Sequence, residues 1–169
     1  MTNRYLGLGT GNKLTEVVPA VVGGSASAGM IPALNTSGLF DSSMLPAGTG
    51  SVDSVVATAG VALSAGNFVN LYNNAGVVTA QLADCSTGLP ADGYVLAAVT
   101  AGNTGTVYLN DQNSSAGTAL TPATPYYLST AGGVSTTPPT TAGYISQVVG
   151  KSVSATAIQF RPEQPVTLA

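Results

Sequence analysis

The chain has 169 residues, of which only 11 are charged (four Lys and Arg plus seven Asp and Glu), for a net charge of −3 at pH 7. It holds no histidine, no tryptophan and one cysteine, which excludes imidazole acid–base couples, histidine zinc sites, an internal disulfide and a cysteine metal cluster. Four basic residues cannot neutralise a phosphate backbone, so nucleic acid is not expected as a partner.

The chain opens with Gly7-Leu8-Gly9-Thr10-Gly11-Asn12-Lys13-Leu14, which superficially resembles a phosphate loop. The spacing is G-x-G-x-G, and the lysine lacks the Gly-Lys-Ser/Thr order that such loops need. It is read as a flexible terminal arm, and no secretory leader is expected from residues 1–14, which lack an apolar core segment.

Residues 17–40 carry no charge, and they read as short extended pieces around Val17-Val18-Pro19-Ala20-Val21-Val22 and Met30-Ile31-Pro32-Ala33-Leu34. Proline inside both apolar runs argues against a central strand of a sheet. The apolar content argues against a solvated tail. The expected outcome is an arm, residues 1–50, that becomes ordered by lying on another molecule. Leu39-Phe40-Asp41-Ser42-Ser43-Met44-Leu45-Pro46 is expected to form one helical turn with Phe40, Met44 and Leu45 as an apolar knob. The contact candidates are therefore Val17, Val18, Val21, Val22, Met30, Ile31, Leu34, Leu39, Phe40, Met44 and Leu45. Residues 47–51 are read as the linker.

From residue 51 to the C-terminus the pattern is strands between turn clusters, with a short C-terminal tail. Ser54–Thr58 opens it. Phe68–Tyr72 and Val77–Leu82 flank a Gly-closed turn and predict a hairpin. Gly93–Val99 is nearly all apolar and is expected to be a central strand covered on both faces, paired with Gly105–Leu109. Strands at 125–129, 133–136, 143–149 and 157–161 follow, with a short one at 151–154. Eight or nine short strands with turn signals between them predict an all-β domain, an antiparallel β-sandwich or barrel. Mean hydropathy is positive, +0.33, but Gly, Pro, Asn, Ser and Thr interrupt every apolar run, so no membrane partner is expected. A charged fraction of 7%, against about 25% in ordinary domains, points instead to surface hidden in permanent contacts with copies of itself or with a partner.

The segment Ile31-Pro32-Ala33-Leu34-Asn35-Thr36-Ser37-Gly38-Leu39-Phe40-Asp41-Ser42-Ser43-Met44-Leu45-Pro46 resembles one common in tailed-bacteriophage virion proteins. Ala65–Tyr72, Ala91–Val99 and Tyr126–Val134 are similar to pieces of small phage proteins of the capsid decoration (cement) and head-fibre type. The resemblance implies a compact β domain, an N-terminal arm that grips the shell, and a homotrimer. It implies a structural virion protein on the outer surface of the capsid, with the major capsid protein as partner. The alternative it leaves open is a tail-fibre or head-fibre module for host attachment.

No enzyme, cofactor or metal is expected. Asp84 and Asp92 flank one loop, but an acid–base pair would need both facing a cleft, and the loop has the content of an ordinary connection. Asn110-Asp111-Gln112-Asn113 is only a fragment of a calcium-loop spacing. Cys85 has no basic neighbour to lower its pKa. The tyrosines on predicted strands are read as packing residues with their hydroxyls at an edge.

Overall fold

The computed structural model describes residues 4–8, 11, 13–21, 23, 30–41, 44 and 53–169. The chain divides into two units, Met1–Ser51 and Val52–Ala169. Among the described residues there are fourteen strands and no α-helix, so the all-β expectation is met.

The first unit holds β1 (Tyr5–Leu8) and β2 (Leu14–Val17), an antiparallel pair in which Leu6 faces Glu16 and Leu8 faces Leu14. This pairing corrects the expectation of a flexible terminal arm over these residues. Of the glycines that imitate a phosphate loop, Gly7 lies in β1 opposite Thr15, and Gly11, at φ 78°, lies between the two strands. The sequence 47–51, read as a linker, lies outside the described residues.

The second unit begins with β3 (Ser54–Ala59), β4 (Phe68–Asn74), β5 (Val77–Leu82), β6 (Gly93–Tyr94) and β7 (Thr104–Tyr108), which close a small barrel in the order β3-β5-β4-β6-β7. The β4–β5 hairpin is the predicted one, with strands running to Asn74 and Val77. Only Ala75 and Gly76 remain in the loop, both at positive φ (51° and 89°), as the twist of a two-residue turn requires. Asn73 Oδ1 accepts from the Gly76 N–H at 2.7 Å.

Alternation decides what fills the barrel. Ala57 and Ala59 of β3, Val69 of β4, Ala80 of β5, Val95 and Val107 form its interior with Leu63. These are small and β-branched residues, because five strands enclose little volume. The closing pair β3–β5 is parallel, Thr58 beside Thr79 and Ala59 beside Ala80. The barrel is thus not wholly antiparallel, contrary to expectation.

The Gly93–Val99 strand is also corrected: β6 ends at Tyr94 and pairs with β7 at one position, Tyr94 with Tyr108. The reason lies in the main chain. Val95 donates to Asn67 O at 3.1 Å and accepts from the Gly66 N–H at 2.7 Å, and Val99 exchanges two 2.9 Å bonds with Leu63. The chain after Tyr94 follows the approach to β4 and leaves β7, whose ladder is instead with β3.

Next come β8 (Asp111–Asn113), β9 (Pro125–Leu128), β10 (Val134–Ser135), β11 (Ile145–Ser146), β12 (Val148–Ser152), β13 (Ile158–Phe160) and β14 (Val166–Thr167). Five of them build an antiparallel sheet in the order β10-β9-β12-β13-β8, and β11 pairs with β14. The separate strand expected at 151–154 is the end of β12. β8 and β14 were expected to be loop and tail.

The sheet packs on the outer wall of the barrel. Phe68, Tyr94 and, in part, Tyr108 from the barrel meet Tyr126, Leu128, Val149, Ile158 and Phe160 from the sheet. The ring of Phe160 lies 5.6 Å from those of Phe68 and Tyr94, edge-on to the latter at 75°. All three are essentially excluded from solvent. Truncation of a buried aromatic costs about 3–5 kcal/mol. Phe160→Ala is therefore expected to lower the unfolding free energy by that amount in a denaturant titration. Circular dichroism and tyrosine fluorescence are expected to report a single shared transition, because the ring joins both halves of the unit.

Candidate interaction surface and polar sites

Among the described residues, the N-terminal unit leaves most of its large apolar side chains exposed. Leu6 and Leu14 on the hairpin are 68% and 70% exposed, and Arg4 pairs with Glu16 at 2.7 Å across it. Both partners are more than half exposed, so the pair aligns the strands without adding much stability. A two-stranded hairpin is at best marginal in water by itself.

Downstream, Ala20 bridges to the second apolar run. Its N–H donates to Ile31 O at 3.1 Å, and its carbonyl accepts from the Ala33 N–H at 2.7 Å. This bridge is parallel, with Pro32 opposite Ala20. Neither proline needs a donor there, so both apolar runs can lie side by side despite their prolines. Asn35 then makes a turn: its side-chain oxygen accepts from the N–H groups of Ser37 (2.9 Å) and Leu39 (3.1 Å), and its own N–H donates to Leu39 O at 2.8 Å.

The surface that results carries Val18, Val21, Met30, Ile31, Leu34, Leu39 and Phe40, all between 44% and 64% exposed. Val17 and Met44 are half-buried. Val22 and Leu45 lie outside the described residues, as does half of the predicted 39–46 knob; within it, the Met44 N–H donates to Asp41 O at 3.0 Å. Hydrogen bonding thus brings most of the contact candidates together in one unit. The exposed leucines of the hairpin were absent from the sequence-derived set, although alternation of Leu6 and Leu8 against Leu14 and Glu16 was available as a signal.

In the second unit the carboxylates of Asp92 and Asp84 are engaged structurally. Asp92 Oδ2 accepts from Asn70 Nδ2 at 2.8 Å and the Leu71 N–H at 2.9 Å, and Gln81 Nε2 donates on to Asn70 Oδ1 at 3.1 Å. Asp84 turns to other partners: Ser86 N–H (2.8 Å), Ser86 Oγ (2.6 Å) and the Ala131 N–H (3.0 Å). Partial burial pushes the Asp84 pKa up, but hydrogen bonds from Ser86, Ala131 and Thr87 outweigh it, and the net direction is below the ordinary 3.8.

Cys85 is buried, and burial followed by the charge of Asp84 raises its thiol pKa. It is an inert packing residue of the core. Tyr94 is pushed up to about 12 by burial, then by the charge of Asp111 and by Tyr108. Its hydroxyl donates to Asn110 O at 3.1 Å. Among the described residues no group of three or more Cys, Asp or Glu side chains is placed to hold a metal ion, and no helix is long and apolar enough to cross a membrane.

No protein-family model and no curated protein matches the chain. Among solved structures the chain is similar to the head fibre gp8.5 N base of bacteriophage phi29, at 14% identity and a TM-score of 0.44, over 64% of this chain and 92% of that one.

The Asp84 geometry sets a pH dependence. A carboxylate whose folded pKa lies below its unfolded one contributes stability above the unfolded value and loses it as pH falls through the folded value. The difference in thermal midpoint between the native protein and Asp84→Asn is expected to be constant from pH 7 to pH 5 and to shrink below about pH 4, as differential scanning fluorimetry across that range would show.

Proposed function

We propose that the chain is a non-enzymatic structural protein of a tailed-phage virion, a decoration protein that binds the outside of the assembled head and stabilises it. The observation that carries this reading is the set of exposed apolar side chains of the N-terminal unit, Leu6, Leu14, Ile31, Leu34, Leu39 and Phe40 being more than half exposed, set against a second unit whose phenylalanines and isoleucines are all buried and whose exposed large apolar residues are mainly valines. Exposed apolar groups gathered in one segment mark an interaction site. The resemblance of residues 31–46 to virion segments supplies the class of partner, the major capsid protein.

Low charge supports an extensive interface between copies, since charge is depleted at interface cores, and the resemblance to decoration proteins makes that assembly a homotrimer. Three arms joined through one trimer raise the local concentration of each to about the millimolar range, so weak individual contacts hold firmly. A protein that binds assembled lattice and not free subunits stabilises the shell by mass action.

Phe40 is half exposed, and burial of that remaining half against a partner is worth about 0.8–1.5 kcal/mol. Phe40→Ala is expected to weaken re-binding to stripped heads by about four- to tenfold per arm, with the thermal midpoint of the free protein unchanged. Removal of residues 1–46 is expected to abolish re-binding. Full occupancy by the truncated protein would overturn the reading. Heads lacking the protein are expected to release their genome at a lower temperature than decorated ones. Quantitative mass spectrometry is expected to count hundreds of copies per virion; a few or a dozen trimers would mean a fibre.

A further inference from the structure

The departure of the chain from β7 after Tyr94 opens a cleft in the wall of the barrel. Its volume is about 390 Å³, within the range of small-ligand sites. Leu96, Val99, Asn103, Thr104, Thr106 and Tyr108 line it, and no charged residue does.

The hydrogen-bond parity of β7 determines what faces this space. Leu109 donates to Asp53 O at 2.7 Å and Ala59 donates to Asn103 O at 2.9 Å. Those pairs, and every second pair between them, are the bonded ones of the antiparallel β3–β7 ladder. Residues 105 and 107 therefore spend their main-chain groups on β3, while Thr104 and Thr106 turn theirs the other way. At Tyr108 that side meets Tyr94. At Thr104 and Thr106 it meets the cleft, and among the described residues no main-chain group of segment 95–100 pairs with them.

The floor is apolar. Val99 packs behind Gly105 so closely that a Cβ there would sit 2.5 Å from its Cγ2, so only glycine leaves the floor in place. At one end stands the ring of Tyr108, half-buried and backed by the near-parallel ring of Tyr94 at 5.5 Å and 21°.

We propose that this cleft binds a neutral sugar ring. Main-chain donors and acceptors at Thr104 and Thr106, the two threonine hydroxyls and the Asn103 amide suit a ligand dense in hydroxyl groups. The aromatic ring and the Leu96–Val99 floor suit its apolar C–H face, and the lack of charge disfavours acids and amines. An extended peptide is the poorer fit, because the unpaired edge offers only two residues where strand addition uses a longer run.

The test uses the full chain and saturation-transfer NMR with methyl glycosides of neutral hexoses, 6-deoxyhexoses and N-acetylhexosamines. At least one is expected to bind with a Kd of about 1–10 mM. Asn103→Ala and Thr106→Val are each expected to weaken it by about fivefold or more, with the thermal midpoint unchanged, since neither side chain has a hydrogen-bond partner among the described residues. Absence of transfer from every glycoside at about 20 mM would overturn the proposal. So would binding unaffected by both variants, or displacement of the sugar by an uncharged extended tetrapeptide of alternating Ala and Val at lower concentration.

Discussion

Contact between Phe160 and the two barrel rings, Phe68 and Tyr94, holds the larger unit together. A five-stranded barrel filled with alanine and valine buries little apolar area per residue and would be marginal alone. A five-stranded sheet with one apolar face needs a cover. The aromatic cluster answers both needs at once, since the rings stand on the outer wall of the barrel and on the inner face of the sheet. Aromatic side chains supply large buried area at few positions, which suits a chain with three phenylalanines and seven tyrosines.

Polar side chains do the remaining joining. Gln147 accepts from the Ala91 N–H at 2.8 Å and donates to Ala91 O and Glu163 O, both at 3.2 Å, as a backbone segment would. Asn113 donates to Gly66 O at 2.9 Å and accepts from the Ser115 N–H, tying β8 to the barrel. Ser152 donates to Thr121 O. Buried amides and hydroxyls are tolerated only when satisfied, and among the described residues no buried side-chain polar atom lacks a partner. With so few charges, long connections are held by neutral hydrogen bonds, which salt does not screen.

The two units divide the work of the proposed function. The smaller pairs main chain through β1–β2, the Ala20 bridge and the Asn35 turn, yet leaves most of its described large apolar side chains exposed. The larger buries its phenylalanines and isoleucines, leaves mainly valines exposed, and ties Asp84 and Asp92 to main-chain and side-chain donors. Asp84 and Asp92, the pair an enzyme would have needed, are each committed to neighbouring donors.

The sequence by itself determined the all-β class, the 68–82 hairpin and the strands at 125–128 and 158–160, and its residue counts left no histidine and no second cysteine to pair with Cys85. Each rests on local signals: alternation with period two, turn residues at fixed offsets, or a count of residue types. It also located the apolar runs 17–22 and 30–34, because prolines in uncharged apolar runs are visible without a fold. Only the tertiary structure decided that β3 and β5 close the barrel in parallel, that Gly93–Val99 leaves β7 after two residues, and that Asp111-Gln112-Asn113 is a strand. Asp111 sits at φ 83° in a sequence whose polar residues favour turns, and β8 exists because Ile158, Gln159 and Phe160 lie alongside it. The choice of partner for a strand edge depends on residues tens of positions away, and the cleft beside Thr104 and Thr106 arises because Asn67 and Leu63 outcompete β7 for the chain after Tyr94. Local pattern sets which face of a strand is apolar; only the assembled sheet sets which of its two edges is left open.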